Sequence, residues 1–236
     1  MTTDMRPEFH HELEDIRSSI ARLGATIVEL IPRVTEILLT QDLEGAEYVL
    51  RGDAEIDERA LLVEERALTL MALQAPVASD LRQVAACLKL APEIERSADL
   101  CCNICKAARR IYGHDLDPKL RGLIQRMSDQ ATQEYKEVVE AYVANDAVRA
   151  AALRDMDDYL DDLHRLFIAQ IFESHAAGTI DLQVAVQMAV VARFYERLGD
   201  HAVNISDRVL YIATGRLPEH TTAPVESSAV GGPSEA

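Results

Sequence analysis

Tryptophan is absent from the 236-residue chain, and Phe, Tyr and Trp together make up only 5% of it. Strands favour aromatic and β-branched residues, whereas Ala, Leu, Glu, Asp and Arg, which recur throughout this chain, suit helices better. The hydrophobic share is 48%, and the length is compatible with one large domain or two small ones. The composition therefore predicts an all-α protein with enough apolar residues for a sizeable core.

Positive charge is also scarce. The chain has 24 Lys and Arg residues against 40 Asp and Glu residues, which gives a formal net charge of -16. Phosphate backbones and anionic lipid surfaces repel such a chain, so we expect no nucleic-acid ligand and no adsorption to membranes. Cations and basic protein surfaces are the partners that this charge favours.

Long apolar runs are missing, and cysteines are few. No run approaches the ~18–20 residues needed to span a bilayer, and the N-terminus lacks the pattern of a secretory signal. Three of the four cysteines, Cys101, Cys102 and Cys105, lie too close together for a disulfide framework. Cys102 and Cys105 have redox spacing, but packing inside a helix is the favoured role. We expect a reducing, cytoplasmic location.

Glycine-rich phosphate loops are absent, since neither G-x-x-x-x-G-K nor G-x-G-x-x-G occurs. Nucleotide hydrolysis is therefore not expected, and nothing else in the chain indicates an enzyme. Glu8 and His11 form one Glu-x-x-His motif, which a carboxylate-bridged, ferritin-like metalloprotein would need on two helices. That class remains an alternative, although it lacks its second motif.

Turn and capping residues divide the chain into six stretches of helical period. The predicted helices cover residues 6–40, 43–74, 77–112, 117–145, 147–176 and 181–214. From Pro218 onwards the sequence "PEHTTAPVESSAVGGPSEA" has almost nothing large to bury. We therefore predict a disordered C-terminal tail over 218–236.

An internal repeat relates the two halves of the chain. "ERSADLCCNI" (95–104) and "ERLGDHAVNI" (196–205) share Glu, Arg, Asp, Asn and Ile at an offset of 101 positions. The preceding predicted helices match too. Asp53 and Asp57 of "VLRGDAEID" (49–57) correspond to Asp157 and Asp161, which lie 104 positions later. The repeat predicts two tandem, pseudo-symmetric three-helix bundles, with domains over 1–115 and 116–217.

The repeated residues include acidic pairs spaced i, i+4, which lie one turn apart on the same helix face. If the two helices of a half face each other, four carboxylates converge and relieve their repulsion by binding a cation or protons. Oxygen-rich clusters suit Mg, Ca, Mn or iron. The candidate metal-binding residues are Asp53, Asp57, Glu95 and Asp99 in the first half, and Asp157, Asp161, Glu196 and Asp200 in the second. A metal-free acidic interaction surface is the alternative.

Three polar residues beside these pairs have two possible roles each. Asn103 and Asn204 either hydrogen-bond between helices or support metal ligands from behind. His201 is either a further ligand or a histidine at a helix interface.

The repeated segments, together with "QAPVASDLR" (74–82), resemble the PhoU family of phosphate-transport accessory regulators over nearly the whole chain up to the tail. The resemblance implies a duplicated Glu/Asp-x-x-x-Asp motif on two three-helix bundles. Glu95 and Asp99 match the first copy, and Glu196 and Asp200 match the second. It further implies multinuclear iron, zinc or manganese clusters on the acidic faces.

The resemblance also implies a function and partners. It indicates a cytoplasmic, non-enzymatic adaptor that links the PstB-like ATPase subunit of the Pst phosphate ABC transporter to a PhoR-like sensor histidine kinase. Such a protein holds the phosphate-starvation (Pho) regulon off when phosphate is plentiful. We also expect a homodimer. One departure from the family pattern is Ala98, which stands in the first motif where Gly is usual.

Overall fold

The computed structural model describes residues 7–216, and the predicted tail over 218–236 lies outside them. The described part of the chain is helical and contains no strand. Its helices are α1 (Pro7–Thr40), α2 (Leu43–Gln74), α3 (Ala78–Arg110), α4 (Pro118–Ala144), α5 (Ala147–Ala151), α6 (Leu153–Ala176) and α7 (Leu182–Thr214). The all-α prediction is confirmed, and no helix within 7–216 is long and apolar enough to cross a membrane.

Aspartate side chains begin four of these helices by accepting a hydrogen bond from a backbone N–H of the first turn. These caps are Asp42 of α2, Asp117 of α4, Asp146 of α5 and Asp181 of α7. At its other end, α7 stops at Gly215, whose φ of 75° is a left-handed conformation that glycine adopts without strain. These caps account for four of the five breaks read from the sequence, whereas α3 begins after Val77 without a side-chain cap.

The fifth predicted helix, over 147–176, is divided at Ala152 into α5 and α6. The N–H of Ala152 lies 3.3 Å from the carbonyl oxygen of Val148 and 3.2 Å from that of Arg149. Sharing one N–H between the i−4 and i−3 carbonyls tightens the last turn of α5. The apolar period continues across this break, which is why the sequence pattern does not reveal it.

Each half of the chain is a three-helix bundle. In the first half α2 packs on α1 and α3, and in the second half α6 packs on α4 and α7. The halves join through contacts of α1 with α4 and of α3 with α7. One continuous set of buried apolar side chains runs through both bundles, so the two halves share a core.

Equivalent helices of the two halves run in opposite directions where they meet. Thr35, near the end of α1, donates to Ser128 of α4 at 2.8 Å, whereas Gly24 of α1 lies against Val139 further along α4. This is the arrangement of a pseudo-two-fold axis between the halves. It places the α2–α3 and α6–α7 grooves at equivalent positions, and these grooves carry the predicted acidic residues.

Two candidate acidic sites

The first acidic site consists of Asp53 and Asp57 on α2 and of Glu95 and Asp99 on α3. The charges of Asp53 and Asp99 act on both Asp57 and Glu95, so these four side chains lie near one another. Burial raises the pKa of Asp57, and the charges of Asp53 and Asp99 raise it further. Burial and the neighbouring carboxylates likewise raise the pKa of Glu95. Asp53 Oδ1 is buried without a hydrogen-bond partner.

Cys102 closes one end of the first acidic site. Burial raises the pKa of its thiol well above the usual range, and the neighbouring Asp53 raises it further. All four cysteines of the chain are buried and free. The thiols therefore pack inside the bundle in their protonated form.

The second acidic site consists of Asp157 and Asp161 on α6 and of Glu196 and Asp200 on α7. Burial raises the pKa of Asp157 to about 7, and the charges of Asp161 and Asp200 raise it further. Glu196 pairs through Oε1 with Arg193 on the same helix, and its Oε2 is buried without a partner. Carboxylates of the two helices therefore face each other in this half too.

Glu134 on α4 also contacts the second acidic site, and the sequence reasoning missed it. Its side chain is fully buried, and burial raises its pKa to about 8, with further contributions from the charges of Asp157 and Asp161. The residues around it on the core-facing stripe of α4 are the buried Ala131, Tyr135 and Val138. A glutamate within an otherwise apolar stripe of a predicted helix is the sequence feature that could have identified Glu134.

Gly199 makes the close approach of these groups possible. A Cβ at this position would lie 3.0 Å from Oε2 of Glu134 and 2.7 Å from Cδ2 of Leu160, and it would overlap Oδ1 of Asp157. Glycine is therefore required where α7 meets α4 and α6. The first half has the fully buried Ala98 at the equivalent position, so the two sites are built differently.

His164 on α6 is a second residue that the sequence reasoning missed. It follows Asp161 by three positions, so it lies on the same helix face. Burial lowers its pKa, and the charge of Arg193 lowers it further. Its imidazole is therefore neutral near pH 7, which is the form that binds metals.

The structure shows the contacts of His201, Asn204 and Asn103, for each of which the sequence leaves two roles open. His201 Nδ1 lies 2.6 Å from Glu93 Oε2, and Asn204 donates to the same oxygen at 3.1 Å. Because Glu93 is on α3, these bonds join the two halves. Asn103 accepts a hydrogen bond from Lys106 at 3.1 Å. His201 is thus an interface histidine, and Asn204 is a helix–helix contact.

The donor atoms of the two sites fit a hard cation in type. Buried carboxylate oxygens without partners are present in both: Asp53 Oδ1 in the first, and Glu134 Oε2 and Glu196 Oε2 in the second. Within residues 7–216, however, no group of three or more His, Cys, Asp or Glu side chains is close enough to form a metal site. Binding an ion would require these side chains to converge on it.

The raised pKa values predict how the stability of the metal-free protein depends on pH. Folded Glu134 keeps its proton up to about pH 8, whereas the unfolded chain releases it near pH 4.5. The contribution of Glu134 to stability is therefore greatest at low pH and falls by about 2–4 kcal/mol as the pH rises through this range. Urea titrations of chelator-treated protein between about pH 5 and 8 measure this loss.

The substitution Glu134→Gln should flatten that profile and stabilise the protein at pH 8, because the amide carries no charge at any pH. Glu173→Gln is the matched control, since Glu173 is exposed and its replacement should leave the slope unchanged. A profile that is the same in wild-type protein and Glu134→Gln would contradict the assignment of Glu134 as a buried, protonated carboxylic acid.

Comparison with known proteins gives one family for both halves of the chain. The sequence profile described as "PhoU domain" matches residues 20–108 and again residues 124–209. The two matches confirm the internal repeat, and the family is the one that the sequence motifs resemble.

Curated relatives cover almost the same span. The "Phosphate-specific transport system accessory protein PhoU homolog 1" of Mycobacterium leprae is 32% identical over 93% of this chain and 99% of its own length. PhoU homolog 2 of Mycobacterium tuberculosis is 33% identical over 91% of this chain and all of its own.

Solved structures show the same fold. The regulatory protein PhoU from Streptococcus pneumoniae superimposes with a TM-score of 0.82 at 24% identity, covering 90% of this chain and all of its own. PhoU from Pseudomonas aeruginosa superimposes with a TM-score of 0.83 at 23% identity, over 89% of this chain and all of its own.

Proposed function

The chain belongs to the PhoU family, and we propose that it is a non-enzymatic negative regulator of the phosphate-starvation response and of phosphate uptake. One observation carries this proposal. Relatives named as phosphate-specific transport accessory proteins match both halves of the chain, at 32% and 33% identity over more than nine-tenths of its length. The same region of this chain contains both acidic sites.

The proposed mode of action is that of an adaptor on the cytoplasmic side of the membrane. It contacts the ATPase subunit of the phosphate transporter and the sensor histidine kinase, and thereby reports to the kinase whether phosphate is being taken up. A net charge of -16 favours basic surfaces on these partners and disfavours nucleic acid. The shared core of the two bundles makes the chain one unit that both partners can contact at once. We further propose that it acts as a homodimer.

The two acidic sites are proposed to bind iron, zinc or manganese. Asp53, Asp57, Glu95 and Asp99 would hold the metal in the first half, and Asp157, Asp161, Glu196 and Asp200 would hold it in the second. Burial is the main cause of the raised pKa values of Asp57, Glu95 and Asp157, and repulsion among the carboxylates adds to it. A bound cation would remove that repulsion. Metal would thus fix α2 against α3 and α6 against α7.

A metal-free acidic interaction module is the second candidate. The observation in its favour is that no three side chains among residues 7–216 are arranged as a formed metal site. In that case the acidic grooves would receive basic side chains of a partner directly. Elemental analysis of protein purified without chelator distinguishes the two candidates, because only the first predicts metal at a stoichiometric level.

The ferritin-like alternative receives no support from the described residues. Glu8 and His11 lie in the first turns of α1, where the His11 side chain is 81% exposed and pairs with Asp15. A di-iron site needs such residues to project inward from facing helices. This motif instead faces solvent, away from both acidic sites.

Affinity capture from phosphate-replete cells tests the proposed adaptor role. The tagged chain should retain the transporter's ATPase subunit and the sensor kinase, both identified by mass spectrometry. An untagged strain controls for nonspecific binding. Recovery of neither protein after mild crosslinking would contradict the proposal.

A further inference from the structure

We propose that Glu134 is a fifth carboxylate ligand of the second acidic site, and that it makes this site bind a hard divalent ion such as Mn²⁺ more tightly than the first. The inference rests on the metal-binding part of the proposed function. It adds a ligand from α4, outside the repeated acidic motifs on α6 and α7.

Glu134 has no exposed surface, yet its Oε2 has no hydrogen-bond partner. Buried polar atoms are almost always paired, because desolvation is costly when nothing replaces the lost water. An unpaired carboxylate oxygen at a buried position therefore indicates a missing partner.

The free oxygen of Glu134, Oε2, points towards α7. Oε2 of Glu134 and Oδ1 of Asp157 both approach the Cα of Gly199, so closely that a Cβ there would touch each of them. The two carboxylates thus meet at one point on α7, one residue before Asp200. Glu134 is directed into the second acidic site.

Gln130 holds the Glu134 side chain in place. Gln130, one turn earlier on α4, donates to its Oε1 at 2.8 Å and to the backbone oxygen of Met156 at 2.9 Å. One oxygen is therefore anchored while the other is free. Metal-binding carboxylates are commonly oriented by a hydrogen bond of this kind.

The two halves differ at the positions equivalent to Glu134 and Gly199. An offset of 104 between α1 and α4 interchanges the two contacts across the pseudo-two-fold axis, Thr35–Ser128 and Gly24–Val139. The same offset relates Glu134 to Leu30. The offset of 101 between the motifs relates Gly199 to Ala98. The first half therefore lacks both the carboxylate and the glycine that makes room for it, so the two sites differ in their number of ligands.

Titration with Mn²⁺ of metal-stripped protein tests the inference when each site is isolated by variants. Asp57→Asn/Asp99→Asn leaves only the second site, and Asp161→Asn/Asp200→Asn leaves only the first. Adding Glu134→Gln should weaken Mn²⁺ binding about tenfold or more when only the second site remains. It should leave the affinity unchanged when only the first site remains. Calorimetry and the EPR signal of free Mn²⁺ measure both.

Glu134→Leu is a second variant, because leucine is the residue that the first half carries and it suits an apolar stripe. It should lose the same affinity with its helical circular dichroism intact. Leu30→Gln, in the background that leaves only the first site, is the matched control and should change nothing.

Equal Mn²⁺ affinity with and without Glu134, or an equal loss at both sites, would overturn the inference. So would wild-type protein that binds no Mn²⁺ at all. The regulatory role is measured separately by gene expression, so each of these failures is distinguishable from a failure of the proposed regulator.

Discussion

Replacing Asp157 and Asp200 together by asparagine should remove the metal of the second half, and replacing Asp53 and Asp99 should remove that of the first. Each pair contributes one residue from each of the two facing helices, so each double variant weakens both walls of its groove. Asparagine keeps the size of the side chain and removes its charge, which hard cations require. Each double variant should lose about half of the bound metal, and the quadruple variant nearly all of it.

Elemental analysis of protein purified without chelator measures this loss, with Glu173→Gln as a control that retains full metal content. The same variants should be more stable than wild-type protein when both are metal-free, because burial and carboxylate repulsion, which together raise the pKa of Asp157 to about 7, no longer act on a charged group. Unchanged metal content in the quadruple variant would show that the ion is held elsewhere. No metal in wild-type protein would favour the metal-free interaction module.

Much of the fold could be predicted because its signals are local. Helical period and aspartate caps place the long helices, since both depend on residues a few positions apart. The repeat then predicts two similar bundles without any knowledge of tertiary contacts. The irregularity at Ala152 could not be predicted, because a shared hydrogen bond in one turn leaves the apolar period intact.

The acidic sites could be predicted only as far as the repeat extends. Pairs spaced i, i+4 necessarily share a helix face, and their duplication distinguishes them from ordinary solvated charge. Glu134 and the cross-half contact of His201 with Glu93 depend on which helices pack together. Sequence spacing does not show which helices pack together, so the contacts of these residues appear only in the folded chain.

The repeat also conceals a difference between the halves. Matching motifs predict equal sites, yet Gly199 admits Glu134 to one site, whereas Ala98 and Leu30 occupy the equivalent positions in the other. The departure at Ala98 is visible in the sequence, but its consequence requires knowledge of the neighbour on α4. Small differences at helix contacts can thus produce unequal sites in a duplicated fold.

The second large effect is expected in cells that carry this gene as their only PhoU-family copy. In the proposed adaptor role, the kinase of a strain without this gene receives no report of phosphate uptake. Phosphate-starvation genes should then be expressed in phosphate-rich medium as strongly as in starved wild-type cells. Restoring the wild-type chain should repress them again. The quadruple acidic variant should fail to do so if metal is needed for the adaptor, whereas Glu173→Gln should restore repression.

A phosphate-starvation reporter in that deletion strain, grown with abundant phosphate, tests the central claim most directly. The proposed regulator predicts high reporter expression in the deletion strain and low expression once the wild-type chain is returned. Full repression in the absence of the gene would contradict the claim that this chain holds the response off.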